Sequence, residues 1–284
     1  MSYAQYNEDL FISNIFDSKD INKGFFLEFG AWNGKYLSNC RYFYEKGWKG
    51  LFIEGNKDRF KDLQKNYDKD RNVVLLNLFV DKEENSLDKI LLRENIYQLD
   101  LLSIDVDGKD LILWKTLTQI RPKVIIIEFN ANIPFDVNYT DGIQNNIVGS
   151  SLIAINNYAK ENNYQLIHAT QSNLIFIEKQ FNLNFFKVIS EIEVFNMLNP
   201  TRMAYNNYGE ILFFRGNQLN QNEYFRFPSQ KNFITFQPIP KFIRKLTDVN
   251  GKGYKLIKII YSNFLFILLR PNLFIHKLIK KFFN

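Results

Sequence analysis

"FFLEFGAWNGKYLSN", residues 25–39, opens as an apolar run and breaks into a turn with a glycine at each end, Gly30 and Gly34. The run is almost continuously apolar, as a strand buried on both faces of a parallel sheet should be. Glycines at its exit permit positive φ and remove the Cβ atoms that would block a close neighbour. One acid, Glu28, stands two positions before the first of them.

The same alternation continues outward. Apolar runs at 50–54, 72–80, 100–106 and 123–129 read as four more buried strands. Amphipathic stretches at about 36–46, 57–67, 86–94 and 109–119 read as the intervening helices. Strand and helix in repeated alternation predict a doubly wound α/β domain. A helix over 149–163 follows, with Ser150 or Ser151 as its N-cap. Two last strands, 164–170 and 173–179, are separated by a turn too short for a parallel crossover, so they form an antiparallel hairpin. The domain is expected over 1–215, a proline-containing connector over 216–240, and a basic amphipathic helical tail over 241–284.

Composition narrows the classes. The 284 residues are 46% hydrophobic, with 28 phenylalanines, enough for a large core. A single cysteine, Cys40, excludes an internal disulfide framework and a Cys-rich zinc site. The first 25 residues carry Glu8, Asp9, Asp17 and Asp20 and no basic-then-apolar leader pattern, so a cytoplasmic protein is expected. The net charge of +6 is uneven: residues 241–284 hold ten Lys/Arg against one Asp, which leaves the body slightly acidic. A nucleic-acid partner is not expected, because such enzymes carry positive charge across the domain itself.

In an open parallel sheet, ligands bind beyond the carboxyl ends of the strands, where strand order reverses. The spacing Glu28-x-Gly30-x-x-x-Gly34 lacks the G-x-G-x-x-G that seats a pyrophosphate. The better fit is a nucleoside carrying an amino-acid chain, S-adenosylmethionine. Glu54, 24 residues after Gly30 at the second strand's end, is placed to accept hydrogen bonds from both ribose hydroxyls. The plainer alternative is that Glu28 and the glycines form only a tight strand-to-helix turn.

Six segments in order carry a resemblance: "SYAQYNEDLFI" (2–12), residues 25–39 quoted above, "GWKGLFIEGN" (47–56), "DLLSIDVDGKDLILWKTL" (100–117), "RPKVIIIEFN" (121–130) and "GSSLIAI" (149–155). Together they resemble the FkbM-type branch of S-adenosylmethionine-dependent methyltransferases, over roughly residues 2–180. The resemblance implies a Rossmann-like seven-stranded methyltransferase fold with a mostly parallel sheet and a terminal hairpin. It implies methyl transfer to hydroxyls, often of sugars or glycans. It places Glu28, Gly30 and Gly34 at the cofactor's methionine end, with Ala31 and Ser38 beside them, Glu54 at the ribose, and Asp81 at the adenine pocket.

"SIDVDGKD" sets Asp105, Asp107 and Asp110 at the fourth strand's end, and "IIIEFN" sets Glu128 and Asn130 at the fifth's. Asp105, Glu128 and Asn130 are expected to converge over the sulfonium, Asp105 facing the cofactor as well. Two acids and an amide oxygen suit Mg²⁺, which would acidify an acceptor hydroxyl. Without a metal, Asp105 or Asp107 would accept the proton. The structural alternative is that these acids cap the following helix. His168 falls within a predicted strand, and a histidine-based mechanism is not expected. Residues 5–9, "QYNED", read equally as a lid over the cofactor or a helix N-cap; Trp32 and Tyr36 either line the pocket or pack in the core.

In the tail, the uncharged run 259–269 has 11 residues, too few to span a bilayer. Its lysine-flanked apolar spacing suits either an interfacial helix on anionic lipid, peripheral to the inner face of a membrane, or packing on protein. Three other readings compete. "IDVDGKD" resembles the D-x-D-x-[TV] of haloacid-dehalogenase phosphatases, with Lys109 at the fifth position. Asp105 and Asp107 also match the D-x-D of a metal-dependent nucleotide-sugar glycosyltransferase, which would leave Glu54 and the glycine loop without a role. The last is a non-enzymatic, membrane-associated scaffold that keeps the fold.

Overall fold

The computed structural model describes residues 1–67, 70–141 and 148–198, the strand backbones of 201–205, 211–215 and 218–219, and Ile260, Phe264 and Ile267. The chain divides into two compact units, 1–216 and 217–284. The connector expected at 216–240 and the tail at 241–284 lie almost wholly outside the described residues.

Helix α1 (Glu8–Asp17) precedes strand β1 (Phe25–Phe29). Then come α2 (Arg41–Glu45), β2 (Lys49–Ile53), α3 (Lys57–Tyr67), β3 (Val73–Leu76), α4 (Leu87–Arg93), β4 (Leu101–Ile104), α5 (Asp110–Trp114) and β5 (Val124–Glu128). Helix α6 (Leu152–Glu161) leads into the hairpin β6 (Tyr164–Ala169) and β7 (Asn173–Glu178), followed by α7 (Lys179–Asn182) and α8 (Glu191–Met197). Two further strands, β8 (Thr201–Tyr205) and β9 (Ile211–Arg215), pair antiparallel.

The main sheet has seven strands in the order β3-β2-β1-β4-β5-β7-β6. β1 to β5 are parallel, and β7 enters antiparallel to β5 and β6. This is the Rossmann-like arrangement expected from the sequence. Strand order reverses between β1 and β4, which opens a crevice at the carboxyl ends there.

Alternation along each strand sorts the core to two faces. Leu27, Phe29, Leu102, Ile104, Ile125 and Ile127 pack with α4, α5, α6 and α8. Phe26, Phe52, Leu101, Val124 and Ile126 pack with α1, α2 and α3. Each such fully buried side chain contributes about 1.5–3 kcal/mol of transfer free energy. Glu28 shares the parity of Phe26, so its carboxylate enters the α1–α3 side.

Several elements are shorter than the apolar runs suggest. β3 stops at Leu76, where the side chain of Asn77 turns to donate to the Glu54 carbonyl at 2.7 Å. α2 begins only at Arg41, because residues 31–40 wind around Glu28. The N-cap reading of "QYNED" is met in part: Asn7 stands at the N-cap of α1 but makes no side-chain cap bond, and Glu8 and Asp9 open the helix and are buried. Ser151, rather than Ser150, caps α6 by accepting from Ala154 N–H.

Candidate active site

Gly30 has φ +78°, and a Cβ there would fall 1.5 Å from the Asp105 carbonyl oxygen. Gly34 has φ +68°, and its Cβ would meet the Tyr67 ring at 2.5 Å. Both glycines are required by contacts within the protein: Gly30 lets the β1 and β4 loops touch at the switch point, and Gly34 lets the loop lie on α3. Gly30 and Ala31 N–H both donate to the Ile53 carbonyl, at 3.1 and 3.2 Å, which ties the loop to the end of β2. These contacts leave Gly30 on the edge of an open cavity.

That cavity has a volume of about 510 Å³, within the usual range for small-molecule sites. The ends of β1, β2 and β4 and the chain following β3 all contribute to its wall, which includes Glu28, Gly30, Ala31, Ser38, Glu54 and Asp105. Glu54 is buried, and each carboxylate oxygen accepts one main-chain N–H: Oε2 from Trp32 at 2.8 Å and Oε1 from Asn56 at 2.7 Å. These bonds orient the carboxylate and leave lone pairs for further donors. Glu28, also buried, accepts from Ser38 Oγ at 2.6 Å and Asn39 N at 3.0 Å. Burial outweighs those bonds, and with the Asp105 charge nearby it pushes the Glu28 carboxyl up to about 7.

Asp81 is absent from this wall. Its carboxylate accepts from Glu83 and Asn85 N–H at 2.7 and 2.9 Å, which fixes the turn after the Phe79 segment. Phe79, two residues earlier, stands in the wall. It is 73% exposed and lies over Gly55, where a Cβ would be 2.3 Å from the ring. Around the same mouth, Trp32 stacks edge-on with Tyr36 at 5.4 Å, and the Arg59 guanidinium sits 5.1 Å from the Trp32 ring centre. Sequence reading missed Phe79 because it falls inside an apolar run, and Arg59 because it resembles any charge on an exposed helix. Trp32 and Leu37 take positive φ (44° and 57°), strain that bulky residues adopt where surrounding structure forces it.

At the acidic end, carboxylate oxygens of Asp105, Asp107 and Glu128 all lie within 4.8 Å of one another. The Asn130 side chain is engaged in its own loop: it donates to the Val148 carbonyl at 2.7 Å and accepts from Asn132 N–H at 2.8 Å. The structure brings Asp107 to the expected pair of acids, Asp105 and Glu128. Asp107, Gly108 and Lys109 all have positive φ, and this tight turn carries Asp107 back toward Glu128. Asp105 is exposed to solvent where it borders the cavity, yet enough protein crowds its carboxyl that desolvation, followed by the charges of Asp107 and Glu8, raises it to about 6. Desolvation and the charge of Asp105, with smaller contributions from Asp110 and Asp107, raise Glu128 to about 8. Asp110 does not cap α5, whose N-cap is Lys109 with no side-chain cap bond; it opens the helix, is buried, and braces the preceding turn by accepting from Val106 and Gly108 N–H at 3.0 Å each. Asp107 makes no such bond.

A second concavity, about 770 Å³ and more open, lies at the opposite, amino-terminal ends of the strands beside Lys49, Asp100 and Lys123. It has no share in the switch-point crevice.

No protein-family model and no curated protein matches the chain. Solved structures to which it is similar include a TehB-like SAM-dependent methyltransferase from Corynebacterium glutamicum, at 11% identity over 59% of this chain and 86% of that one, TM-score 0.38. Another is TrmK of M. capricolum in complex with S-adenosylhomocysteine, at 14% identity over 58% and 66%, TM-score 0.36. A third is a SAM-dependent methyltransferase from Aquifex aeolicus, at 10% identity over 60% and 87%, TM-score 0.36.

Proposed function

We propose that this protein is an S-adenosylmethionine-dependent O-methyltransferase of the FkbM type, acting on a hydroxyl of a sugar or glycan. The observation that carries the reading is a single cavity at the switch point with Glu28, Glu54 and Asp105 in one wall. Glu54 meets the ribose hydroxyls, Phe79 offers its exposed ring to the adenine, and Glu28 and Asp105 give the negative potential a sulfonium cation needs. Transfer is direct and in line: the acceptor oxygen forms its bond to the methyl carbon as the carbon–sulfur bond breaks. The hydroxyl proton passes to Asp105, which at about 6 is mostly ionised at neutral pH. Glu128, at about 8, is protonated there and donates a hydrogen bond to the acceptor.

Asp105, Asp107 and Glu128 are also hard-oxygen donors close enough to hold Mg²⁺, which would supply positive charge beside the acceptor hydroxyl. The glycosyltransferase reading has less support, because it leaves Glu28 and Glu54 unused. Among the described residues no helix is long and apolar enough to cross a membrane. The basic tail suits attachment to an anionic membrane face, where lipid-linked acceptors would be at hand.

Calorimetric titration with S-adenosylmethionine, S-adenosylhomocysteine, UDP-sugars and GDP-sugars tests the cavity; binding of only the nucleotide sugars would reject the transferase. Methyl-labelled cofactor incubated with cell-surface glycans, with and without chelator, tests the acceptor and the metal. Glu54→Gln should weaken cofactor binding about tenfold or more, through loss of one charge-assisted acceptor.

A further inference from the structure

Glu8 is fully buried, and none of the salt bridges among the described residues includes it, although its charge acts on His168. Its carboxylate is held by three hydrogen bonds: from Tyr6 N–H at 2.7 Å, Thr170 Oγ at 2.8 Å and Asn173 Nδ2 at 3.0 Å. Two of those donors flank the β6–β7 turn, Thr170 opening it and Asn173 beginning β7, more than 160 residues away in the chain. That turn lies beside the carboxyl end of β5: Asn173 is the register partner of Glu128, and Phe129 N–H donates to the Ser172 carbonyl at 2.8 Å.

The bond is therefore a clamp between the N-terminal segment and the strand end that carries Glu128. On its outer side, Tyr6 OH donates to Gln171 Oε1 at 3.1 Å, and Gln5 Nε2 donates to Tyr6 OH at 3.3 Å. This gives an uncharged amide–phenol–amide row on the surface, tied through the same turn to the strand end that carries Glu128. A buried carboxylate is a costly way to fasten a terminus unless its geometry matters, because it must be satisfied by oriented donors.

We infer that Glu8 is a positioning residue of the site, holding Gln5, Tyr6 and Gln171 as the wall against which the acceptor is seated beside Glu128. The inference rests on the transferase reading above for the existence of an acceptor, and on the geometry here for where it lies. Its subsite is lined by neutral donors and acceptors, suited to hydroxyl groups and indifferent to the cofactor.

The test is solution NMR of the full chain saturated with S-adenosylhomocysteine and titrated with the methyl glycosides of glucose, galactose, mannose and rhamnose. Amide signals of Gln5, Tyr6 and Gln171 are expected to move with at least one glycoside. Tyr6→Phe should then raise that glycoside's Kd about three- to tenfold with the homocysteine affinity unchanged. Glu8→Gln should weaken the same glycoside and speed amide exchange about tenfold in 170–173, while β1 and β2 keep their protection. Thr170→Val removes one donor, keeps the Glu8 charge and should give the same local pattern.

Shifts confined to other parts of the protein, or none with any glycoside, would overturn the inference. So would protection lost across the whole sheet in both Glu8→Gln and Thr170→Val, which would make Glu8 a folding anchor only. Failure of the wild-type chain to bind S-adenosylhomocysteine would instead sink the transferase reading itself.

Discussion

Gly30 is the residue at which fold and site meet. An alanine there would have to hold φ near +78° and place its Cβ against the Asp105 carbonyl, so the β1 and β4 loops would separate. The expected cost is about 2–4 kcal/mol, from backbone strain together with overpacking. Thermal unfolding of Gly30→Ala should show that loss along with loss of cofactor binding. A variant of native stability that fails only to bind would mean that the glycine serves the ligand alone. The raised carboxyls give a second expectation. Glu28 and Asp105, at about 7 and 6, lose protons between pH 5.5 and 8, so the pocket grows more negative across that window. S-adenosylmethionine, with its cationic sulfonium, should bind about three- to tenfold more tightly at pH 8 than at pH 5.5. S-adenosylhomocysteine, neutral at sulfur, should change little. Parallel pH dependence of the two affinities in calorimetry would count against the acids facing the sulfonium. The same shifts act on stability with the opposite slope. A carboxyl raised on folding binds more protons folded than unfolded, so the stability that Glu28 contributes below pH 4.5 is lost as pH rises through 7.

Among the elements, strand starts were legible to within a residue, whereas the end of β3 was not. The run 72–80 is apolar nearly throughout, but β3 ends at Leu76 because Asn77 finds the Glu54 carbonyl and frees Phe79 to cover Gly55. Local hydrophobicity reports burial and is silent on whether a backbone hydrogen bond has a partner strand. The expected helix over 36–46 contracts to Arg41–Glu45 for a related reason. Ser38 Oγ and Asn39 N–H are drawn to the buried Glu28 carboxylate, and the chain cannot be helical while it wraps that group. α6 behaved as its sequence suggests, since a serine before an apolar helical stretch is a local signal. Ser151 Oγ accepts from Ala154 N–H and also from Tyr139 N–H at 2.9 Å. Ser151→Ala should therefore cost about 1–2 kcal/mol and lower Tm by about 3–6 °C. An unchanged Tm would show that water replaces both bonds.

For the whole molecule, the division into 1–216 and 217–284 makes a direct test of where the activities reside. A chain truncated after Gly216 should unfold cooperatively and bind S-adenosylmethionine as the full chain does. Only the full chain should sediment with vesicles containing anionic lipid, at about 1 kcal/mol per basic residue near the surface. Vesicle binding by the truncated chain, or none by the full chain, would remove the membrane from the proposal.

The sequence by itself determined the alternation of buried strands and helices, the closing hairpin, and the presence of acids at the ends of β1, β2, β4 and β5. These follow from short-range periodicity and from chain-length limits on crossovers. It did not determine which acids share a space. Asn130 and Asp81 turned to satisfy their own loops, and Asp107 swung in to join Asp105 and Glu128. A loop side chain goes where its hydrogen bonds and solvation are best met. Those partners are assembled only when distant strands pack together, as with Glu8 and the turn at Thr170.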